Sequence, residues 1–241
     1  MKLWTPALFL ITATLAVPSR AKSAVVAKPA SKPTTQTPSK PVAKSGTSST
    51  ATATKAKTQE GPSIPFSRGS MTDSRDGTAY KTVTIGKQTW MAQNLDFASD
   101  GSMCFENRKD RCDQFGRLYD WDAAKTSCPS GWRLSSDEDW KELEKTLGTA
   151  DSAGRLLKTT TGWSTNGNGT DRVGFSAIAA GNSDKTGIFN NLEFAATFWT
   201  SSKKFFGDPW HRRLRFDETS VERETSEKSY LYSVRCLKSS P

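Results

Sequence analysis

Few side chains in this chain combine the chemical type and the spacing that an enzyme active site requires. The single histidine, His211, lies in a basic stretch beside Arg212 and Arg213 and is remote in sequence from the cysteines. A nucleophile, an acid–base pair or a metal site needs partner groups close to such a residue. We therefore expect His211 to be a structural residue rather than a catalytic one.

Acidic side chains offer a second chemistry, because two carboxylates that flank a glycosidic bond can hydrolyse it. The closest pairs are Asp137 with Asp139 and Asp120 with Asp122. Acidic neighbours at helix starts and in loops are usually caps and solvated charges. The sequence therefore predicts a protein that is not an enzyme, with a polysaccharide-active enzyme as the alternative.

One loop carries oxygen-bearing side chains at nearly alternating positions, namely Asn166, Asn168, Thr170 and Asp171, with glycines between them. Such a pattern suits Ca²⁺. The glutamate that closes an EF-hand loop is absent, and so are the Glu-Pro-Asn and Gln-Pro-Asp signatures of calcium-dependent lectins. We expect a plain Asn-Gly turn loop and no cofactor, with a calcium site as the alternative.

Carbohydrate contact is the binding chemistry that the loops favour. Aromatic faces stack on sugar rings while amide and carboxylate groups bind hydroxyl groups, and loop-rich regions display such side chains. The candidate ligand-binding residues are Trp163, Asn166, Asn168, Asp171, Phe205, Phe206 and Trp210. The alternative is that the aromatic members cover the core beneath long loops.

The start of the chain is typical of a secretory signal. Lys2 precedes a mostly apolar stretch at residues 7–17, and small residues follow at Ser19 and Ala21. This stretch is too short to span a bilayer of about 30 Å. We expect a signal peptide at residues 1–21, no transmembrane segment after its cleavage, and a secreted or cell-surface protein.

The net charge of +9 belongs mostly to the segment that follows the signal. Residues 22–62 are almost all Lys, Ala, Pro, Ser and Thr, with seven lysines and one acid, Glu60, which gives +6. Such a composition predicts a disordered linker, which we extend to residues 22–69. Since residues 63–241 carry only +1, no nucleic-acid partner is expected.

Export bears directly on the four cysteines, which are Cys104, Cys112, Cys128 and Cys236. In an exported chain they predict two disulfides, in one of three pairings. The short spacing from Cys104 to Cys112 favours a local loop closure, which leaves Cys128 to join Cys236. A zinc site or a catalytic thiol is the alternative, although the sequence has no C-x-x-C pair.

A single domain at residues 70–241 has to position these groups. Alternating apolar residues and a Gly86-Lys87 turn predict a β-hairpin, followed by a polar loop from 96 to 113. Ser135 and Glu138 have capping-box spacing, and Trp140, Leu143 and Leu147 predict the buried face of a helix that ends at Gly148. Residues 120–125 predict a second short helix.

The second half of the domain predicts loops and short strands. The expected strands cover residues 175–179, 196–200, 210–216 and 231–236. Seven of the eight tryptophans are scattered along the domain, which favours a role in its core. The sequence thus predicts an α+β fold with short antiparallel strands, one or two helices and a loop-rich half.

Several motifs resemble the Fibrobacter succinogenes major paralogous domain family and occur in family order. They are DGTAYKTVTIGKQTWMAQNL (76–95), GRLYDW (116–121), CPSGWRL (128–134), DEDW (137–140), GFSA (174–177), FWTS (198–201) and SVRC (233–236). Ser135, Ala179 and Thr200 depart from the usual pattern at turns.

The resemblance implies a C-type-lectin-like domain, in a superfamily shared with sulfatase-modifying factors. There a cysteine before the Gly-x-x-Leu segment pairs with one in the last strand, as Cys128 and Cys236 would. The family has no established catalytic residues. We expect an exported, non-catalytic binding module for a polysaccharide or a cell-surface protein, with a purely structural or adhesive role as the alternative.

Overall fold

The computed structural model of the chain describes residues 64–148 and 150–239. The predicted signal peptide and the linker as far as residue 63 lie outside the described residues. Within the described ranges, no helix has the length and apolar character needed to cross a membrane.

Short strands and helices alternate along this part of the chain. The strands are β1 (Phe66–Thr72), β2 (Ala79–Ile85), β3 (Gln88–Met91), β4 (Ser102–Met103), β5 (Leu118–Tyr119), β6 (Trp132–Leu134), β7 (Ala180–Ser183), β8 (Phe189–Leu192), β9 (Ala195–Lys203), β10 (Pro209–Arg215), β11 (Glu222–Thr225), β12 (Tyr232–Ser233) and β13 (Cys236–Lys238). The helices are α1 (Lys109–Phe115), α2 (Trp121–Thr126), α3 (Asp137–Thr146) and α4 (Ala150–Leu157), with a 3₁₀ turn at Phe105–Asn107. The α+β class predicted from the sequence is confirmed.

The first sheet is antiparallel and has the strand order β1-β2-β3-β13-β6. Its β2–β3 hairpin is the one predicted, with Val83 and Ile85 buried and Gly86 in the turn at a φ of 59°. β1 begins at Phe66, before the expected domain start at residue 70. Its residues are nearly all exposed, so the alternation that identifies a half-buried strand is missing from its sequence.

The second sheet is mixed and is centred on β9. β9 pairs with β10 in antiparallel register and with β7 and β12 in parallel register. The path continues on one side to β11 and on the other through β5 to β4, while β8 joins β7. The C-terminal segment therefore contributes β12 to this sheet and β13 to the first one.

Helix α3 has the predicted buried face, and Trp140, Leu143 and Leu147 are all 4% exposed or less. Its capping box is formed by Ser136 and Asp139, one residue later than the predicted Ser135 and Glu138. The shift has a clear cause, because the Ser135 hydroxyl accepts a hydrogen bond from the Trp140 indole N–H at 3.0 Å. α2 is the predicted second helix.

Two helices lie where loops were expected. α1 falls within and just beyond the predicted polar loop at 96–113, and α4 lies in the half that was expected to contain only loops and strands. Both are short, and α4 contains Gly154, a poor helix former. A Cβ on Gly154 would collide with the Ser220 and Thr219 carbonyl groups, so the glycine serves close packing instead.

Two of the predicted strands differ in the structure. Residues 175–179 form only an isolated bridge, between Lys158 and Ala177. The predicted strand at 231–236 is divided into β12 and β13, which belong to different sheets, with Val234 and Arg235 between them. The division turns the Arg235 side chain into the protein interior, where it is 1% exposed.

The core is aromatic. Trp90, Trp140, Phe175 and Phe198 contact one another with ring centroids 5.3 to 6.2 Å apart. A second cluster contains Trp199 and Tyr232, whose ring centroids are 4.5 Å apart. Five of the seven domain tryptophans are buried, in agreement with the prediction that they belong to the core.

Both predicted disulfides are present. Cys104 pairs with Cys112 across 8 residues, and Cys128 pairs with Cys236 across 108 residues. No free cysteine is found in the described part of the chain. The second bridge connects the segment before β6 to the first residue of β13.

We predict that the two bridges differ in their contribution to stability. In the chain-entropy model, replacing both Cys128 and Cys236 by Ser lowers the free energy of unfolding by roughly 4–5 kcal/mol, against roughly 2–3 kcal/mol for Cys104 and Cys112. Urea unfolding of the two double variants measures the difference. Equal losses of unfolding free energy in the two double variants would show that loop length does not determine the contribution of each bridge.

His211 is 1% exposed and its ring lies 4.9 Å from that of Tyr232. Its Nδ1 is 3.4 Å from the Ser226 hydroxyl, and its Nε2 is 3.4 Å from the Glu224 carboxylate, which is itself paired with Arg213 at 3.0 Å. Burial, reinforced by Arg213, lowers the pKa of His211 from 6.5 to about 3. The imidazole is therefore neutral in the folded protein at neutral pH.

Because the unfolded chain protonates this histidine near pH 6.5 and the folded chain does not, acid favours unfolding. We predict that stability is complete above about pH 6.5 and falls by about 1.4 kcal/mol per pH unit between about pH 6 and pH 4. Urea unfolding at successive pH values measures the slope. His211→Gln should flatten it between pH 6 and pH 5, and an unchanged slope in this variant would contradict the assignment.

Candidate functional site

A cleft of about 640 Å³ opens on the described surface. Its walls come from the β1–β2 hairpin, the segment after β3 (92–96), the end of α1 and the loop at 171–178. The polar side chains that line it include Arg68, Lys81, Gln93, Asp113, Gln114 and Asp171. These groups are far apart in the sequence, and it is the topology that brings them to one cavity.

The floor of the cleft is built on Arg235. Its Nε donates to Asn94 Oδ1 at 2.7 Å, and its Nη2 donates to the Ser176 carbonyl group at 2.8 Å. Its Nη1 donates to the Met91 carbonyl group at 3.1 Å and to the Phe175 carbonyl group at 2.6 Å. One guanidinium thus joins the end of β3, the segment after it and the loop at 175–176. A planar group with five donors suits several acceptors at once.

Asn94 extends this network towards α1. Its amide nitrogen donates to the Phe115 carbonyl group at 2.8 Å and to the Ser233 hydroxyl at 3.2 Å. Gly116 ends α1 with a φ of 74°, and a Cβ there would collide with Asn94. The glycine is required both by its left-handed backbone and by the close approach.

The charge of Arg235 has no carboxylate partner at ion-pair distance in the described residues. Burial lowers the pKa of Arg235 to about 9, while the more distant Asp171 carboxylate acts in the opposite direction. The guanidinium is still protonated at neutral pH, and it is stabilised by carbonyl groups and by the Phe175 ring, 4.9 Å away. The floor of the cleft is therefore fixed and cationic.

The wall at 171–176 contains two non-glycine residues in the left-handed region. Asp171 has a φ of 43° and Ser176 a φ of 54°. The Asp171 carboxylate accepts hydrogen bonds from the Ser176 amide and from its hydroxyl, both at 2.7 Å. Such backbone strain persists only where the surroundings enforce it, and it is common at ligand sites.

Asp96 and Tyr80 also line the cleft. The Asp96 amide donates to the Tyr80 hydroxyl at 3.0 Å. Burial raises the pKa of Asp96, although Arg117, 3.7 Å away, counteracts it. Burial also raises the pKa of Tyr80 to about 12, which keeps its phenol protonated at neutral pH. The cleft thus holds hydrogen-bond donors and acceptors side by side.

Comparison with known proteins gives one match. The model of the Fibrobacter succinogenes major domain covers residues 83–238, which is more than half of the chain. The chain belongs to the Fibrobacter succinogenes major domain family. No curated protein and no solved structure shows significant similarity to it. The family match includes Asn94, Asp171, Ser176 and Arg235, and it leaves out β1, which supplies Arg68.

The Fibrobacter succinogenes major domain places the predicted ligand residues in two separate regions. Trp163 is 6% exposed, packs in the core and donates its indole N–H to the Thr159 hydroxyl at 2.9 Å. Asn168 is used to hold this loop, since its Oδ1 accepts from the Trp163 amide at 3.1 Å. Asn166 is exposed, with a φ of 62°. Of the predicted group, Asp171 lines the cleft.

Phe205, Phe206 and Trp210 lie at the other end of the β9–β10 hairpin. The loop of Trp163 contacts the start of β9, where Ser164 donates to the Glu193 carbonyl group, whereas Phe205 and Phe206 follow the end of β9. Nine residues of extended strand span roughly 26 Å. The structure therefore does not bring the predicted ligand residues together.

The oxygens proposed for calcium are engaged within the loop, since Asn168 and Asp171 accept the hydrogen bonds described above and Thr170 Oγ1 donates to the Arg155 carbonyl group at 3.4 Å. In residues 64–148 and 150–239, no group of three His, Cys, Asp or Glu side chains is placed to hold a metal ion.

Most residues of the cleft were not recognisable from the sequence. Arg68, Lys81, Gln93 and Gln114 are exposed polar residues without periodicity or spacing that would mark them. Asn94 and Arg235 carried a signal, since each is a polar residue inside a motif that matches the family. A buried guanidinium and amide at such positions have to find partners, and their partners are what form the floor.

We predict that Asn94 is structurally required and that its neighbour Gln93 is not. Asn94→Ala leaves the buried Nε of Arg235 without an acceptor and should lower the free energy of unfolding by about 2–3 kcal/mol. Gln93→Ala removes an exposed side chain whose Oε1 accepts a hydrogen bond from the Lys81 amide at 2.7 Å, and it should cost about 1 kcal/mol or less. Urea unfolding compares the two. Equal losses would mean that the Arg235 network does not stabilise the cleft.

Proposed function

We propose that this protein is an exported, non-catalytic module with a C-type-lectin-like fold that binds a saccharide in the cleft above Arg235. The observation that carries the proposal is the lining of the cleft, where amide, carboxylate and guanidinium groups surround a cavity of about 640 Å³. A volume of this size falls within the range of small-molecule sites in proteins.

The donor and acceptor balance of the lining supports a sugar as ligand. Each sugar hydroxyl group both donates and accepts hydrogen bonds, and amides such as Gln93 and Gln114 do the same, whereas Arg68 and Lys81 only donate and Asp171 only accepts. Phe115, which is half-buried in the same wall, supplies an apolar surface for the C–H face of a sugar ring.

Rigidity of the floor supports binding as well. Asn94 and Arg235 are at most 4% exposed and are held by hydrogen bonds to three segments, so the cleft does not have to be ordered when a ligand enters. Sites that are formed before binding lose less free energy to ordering.

The two disulfides and the predicted signal support an extracellular location. In this proposal the Lys-rich segment 22–62 tethers the binding domain to its point of attachment. The partner would then be a polysaccharide or a glycan carried by a cell-surface protein.

Polysaccharide hydrolysis is a second candidate, favoured by one observation. Asp96 is a half-buried carboxyl group with a raised pKa, and Asp113 lines the same cleft and is paired with Lys109 at 2.8 Å. A glycosidase uses two carboxyl groups, of which the one with the raised pKa serves as the general acid. Release of reducing ends that is lost in Asp96→Asn would support hydrolysis over binding alone.

The test is a glycan array followed by calorimetry on the full chain. Gln114→Ala combined with Lys81→Ala should weaken saccharide binding by about tenfold or more, because two direct hydrogen bonds are lost. Lys87→Ala is the matched control, since this lysine is exposed at the other end of the same hairpin. It should leave affinity unchanged, and the titrations are run with and without Ca²⁺.

Absence of binding to every glycan on the array would contradict the proposal and favour a structural or adhesive role. Binding that is unaffected by the Lys81 and Gln114 changes would place the saccharide elsewhere on the surface. Circular dichroism melting of each variant confirms that the fold is retained, so that a lost signal is assigned to the site.

A further inference from the structure

Two phenylalanines form the apex of the β9–β10 hairpin. Phe205 is 87% exposed and Phe206 is 97% exposed, and their ring centroids are 4.2 Å apart. Exposed aromatic groups of this extent are unusual, because burying a phenylalanine is favourable. They are the most exposed of the large apolar side chains in the described part of the chain.

The backbone of the apex is also unusual. The turn is closed by a hydrogen bond from the Gly207 amide to the Lys204 carbonyl group at 3.1 Å, and Phe206 occupies its third position with a φ of 64°. Asn or Gly fits this left-handed position far better than a bulky residue does. Neither burial nor turn geometry accounts for a phenylalanine at position 206, so we expect its exposed ring to contact a binding partner.

Basic residues surround the aromatic apex. Lys203 and Lys204 precede it and are exposed, and Lys204 Nζ lies 5.1 Å from the centre of the Trp210 ring. Arg223 lies over the same ring at 3.4 Å. Asp208 is the acidic residue of the loop and Arg223 is paired with Asp137, so the excess positive charge at the apex comes from the two lysines.

The hairpin that carries the apex is firmly held. The Thr200 hydroxyl donates to the Trp210 carbonyl group at 2.8 Å. Asp137 at the start of α3 accepts from Arg223 at 2.8 Å and from the buried Arg212 at 2.7 Å. The two phenyl rings therefore project from a rigid support and do not have to be ordered on binding.

We propose that this apex inserts into the headgroup region of a bilayer that contains anionic lipids. Phenylalanine side chains enter the interface, lysines pair with lipid phosphates, and a half-buried tryptophan lies at headgroup level. Stable membrane attachment through two inserted side chains requires a second interaction with the bilayer. The linker at 22–62 carries six net positive charges that can attract anionic lipids.

The geometry favours a lipid surface over a sugar at this apex. The two rings are inclined at 68° to each other and do not form one flat platform on which a glycan chain could stack. No polar amide side chain lies in the loop at 203–209 to bind sugar hydroxyl groups. The proposal is independent of the saccharide cleft.

Vesicle sedimentation of the exported full chain tests the proposal. The protein should bind vesicles of phosphatidylcholine mixed with phosphatidylglycerol more strongly than vesicles of phosphatidylcholine alone, and added salt should weaken the binding. Phe205→Ser with Phe206→Ser should lower the partition coefficient by about tenfold or more. Phe206→Asn should give a smaller loss, since it keeps the turn and removes one ring.

Ile188→Ser is the matched control, because Ile188 is 62% exposed in a different turn. It should leave vesicle binding unchanged. Equal binding by the wild type and the Phe205/Phe206 double variant would overturn the proposal, as would an equal loss in Ile188→Ser. A double variant that loses glycan binding while it still binds vesicles would assign the apex to sugar and would also overturn it.

Discussion

The guanidinium of Arg235 is the group on which the architecture of the cleft depends. Buried without a carboxylate at ion-pair distance, it requires acceptors, and it finds them in Met91, Asn94, Phe175 and Ser176. Those partners come from three segments that share no strand pairing with one another. To reach them the chain has to leave the second sheet after β12 and enter the first sheet at β13. The division of the last strand thus places a buried cation where its hydrogen bonds form the floor of the cleft.

A second buried cation, Arg212 on β10, plays a comparable part. Arg212 is 2% exposed and is bonded to Asp137 and Glu144, so that α3 is fixed to β10. Burial alone would raise the pKa of Asp137, but the hydrogen bonds from Arg223 and Arg212 outweigh it and lower the pKa to about 2. The two networks hold two distinct surfaces in place, the polar cleft and the hairpin that carries the aromatic apex.

Structural features that depend on residues close together in the sequence were predictable from it. The β2–β3 hairpin follows from alternation and a glycine turn, and the buried face of α3 follows from its helical spacing. The cap was misplaced by one residue because Ser135 is bonded to Trp140, a contact that only the packed structure shows. The cleft could not be predicted, because Lys81 and Gln114 become neighbours only through the topology. Trp163 illustrates the same point, since its loop composition suggested exposure and its indole lies in the core.

The most direct test of the proposed saccharide site above Arg235 is a ¹H–¹⁵N correlation spectrum of the labelled full chain. The chain is titrated with an oligosaccharide to which it binds on the glycan array. Amide signals from Lys81, Gln93, Gln114 and Ser176 should shift in a saturable way, while those of residues 203–208 stay in place. Shifts confined to residues 203–208, or none in the cleft at a ligand concentration that saturates binding, would contradict a saccharide site in the cleft.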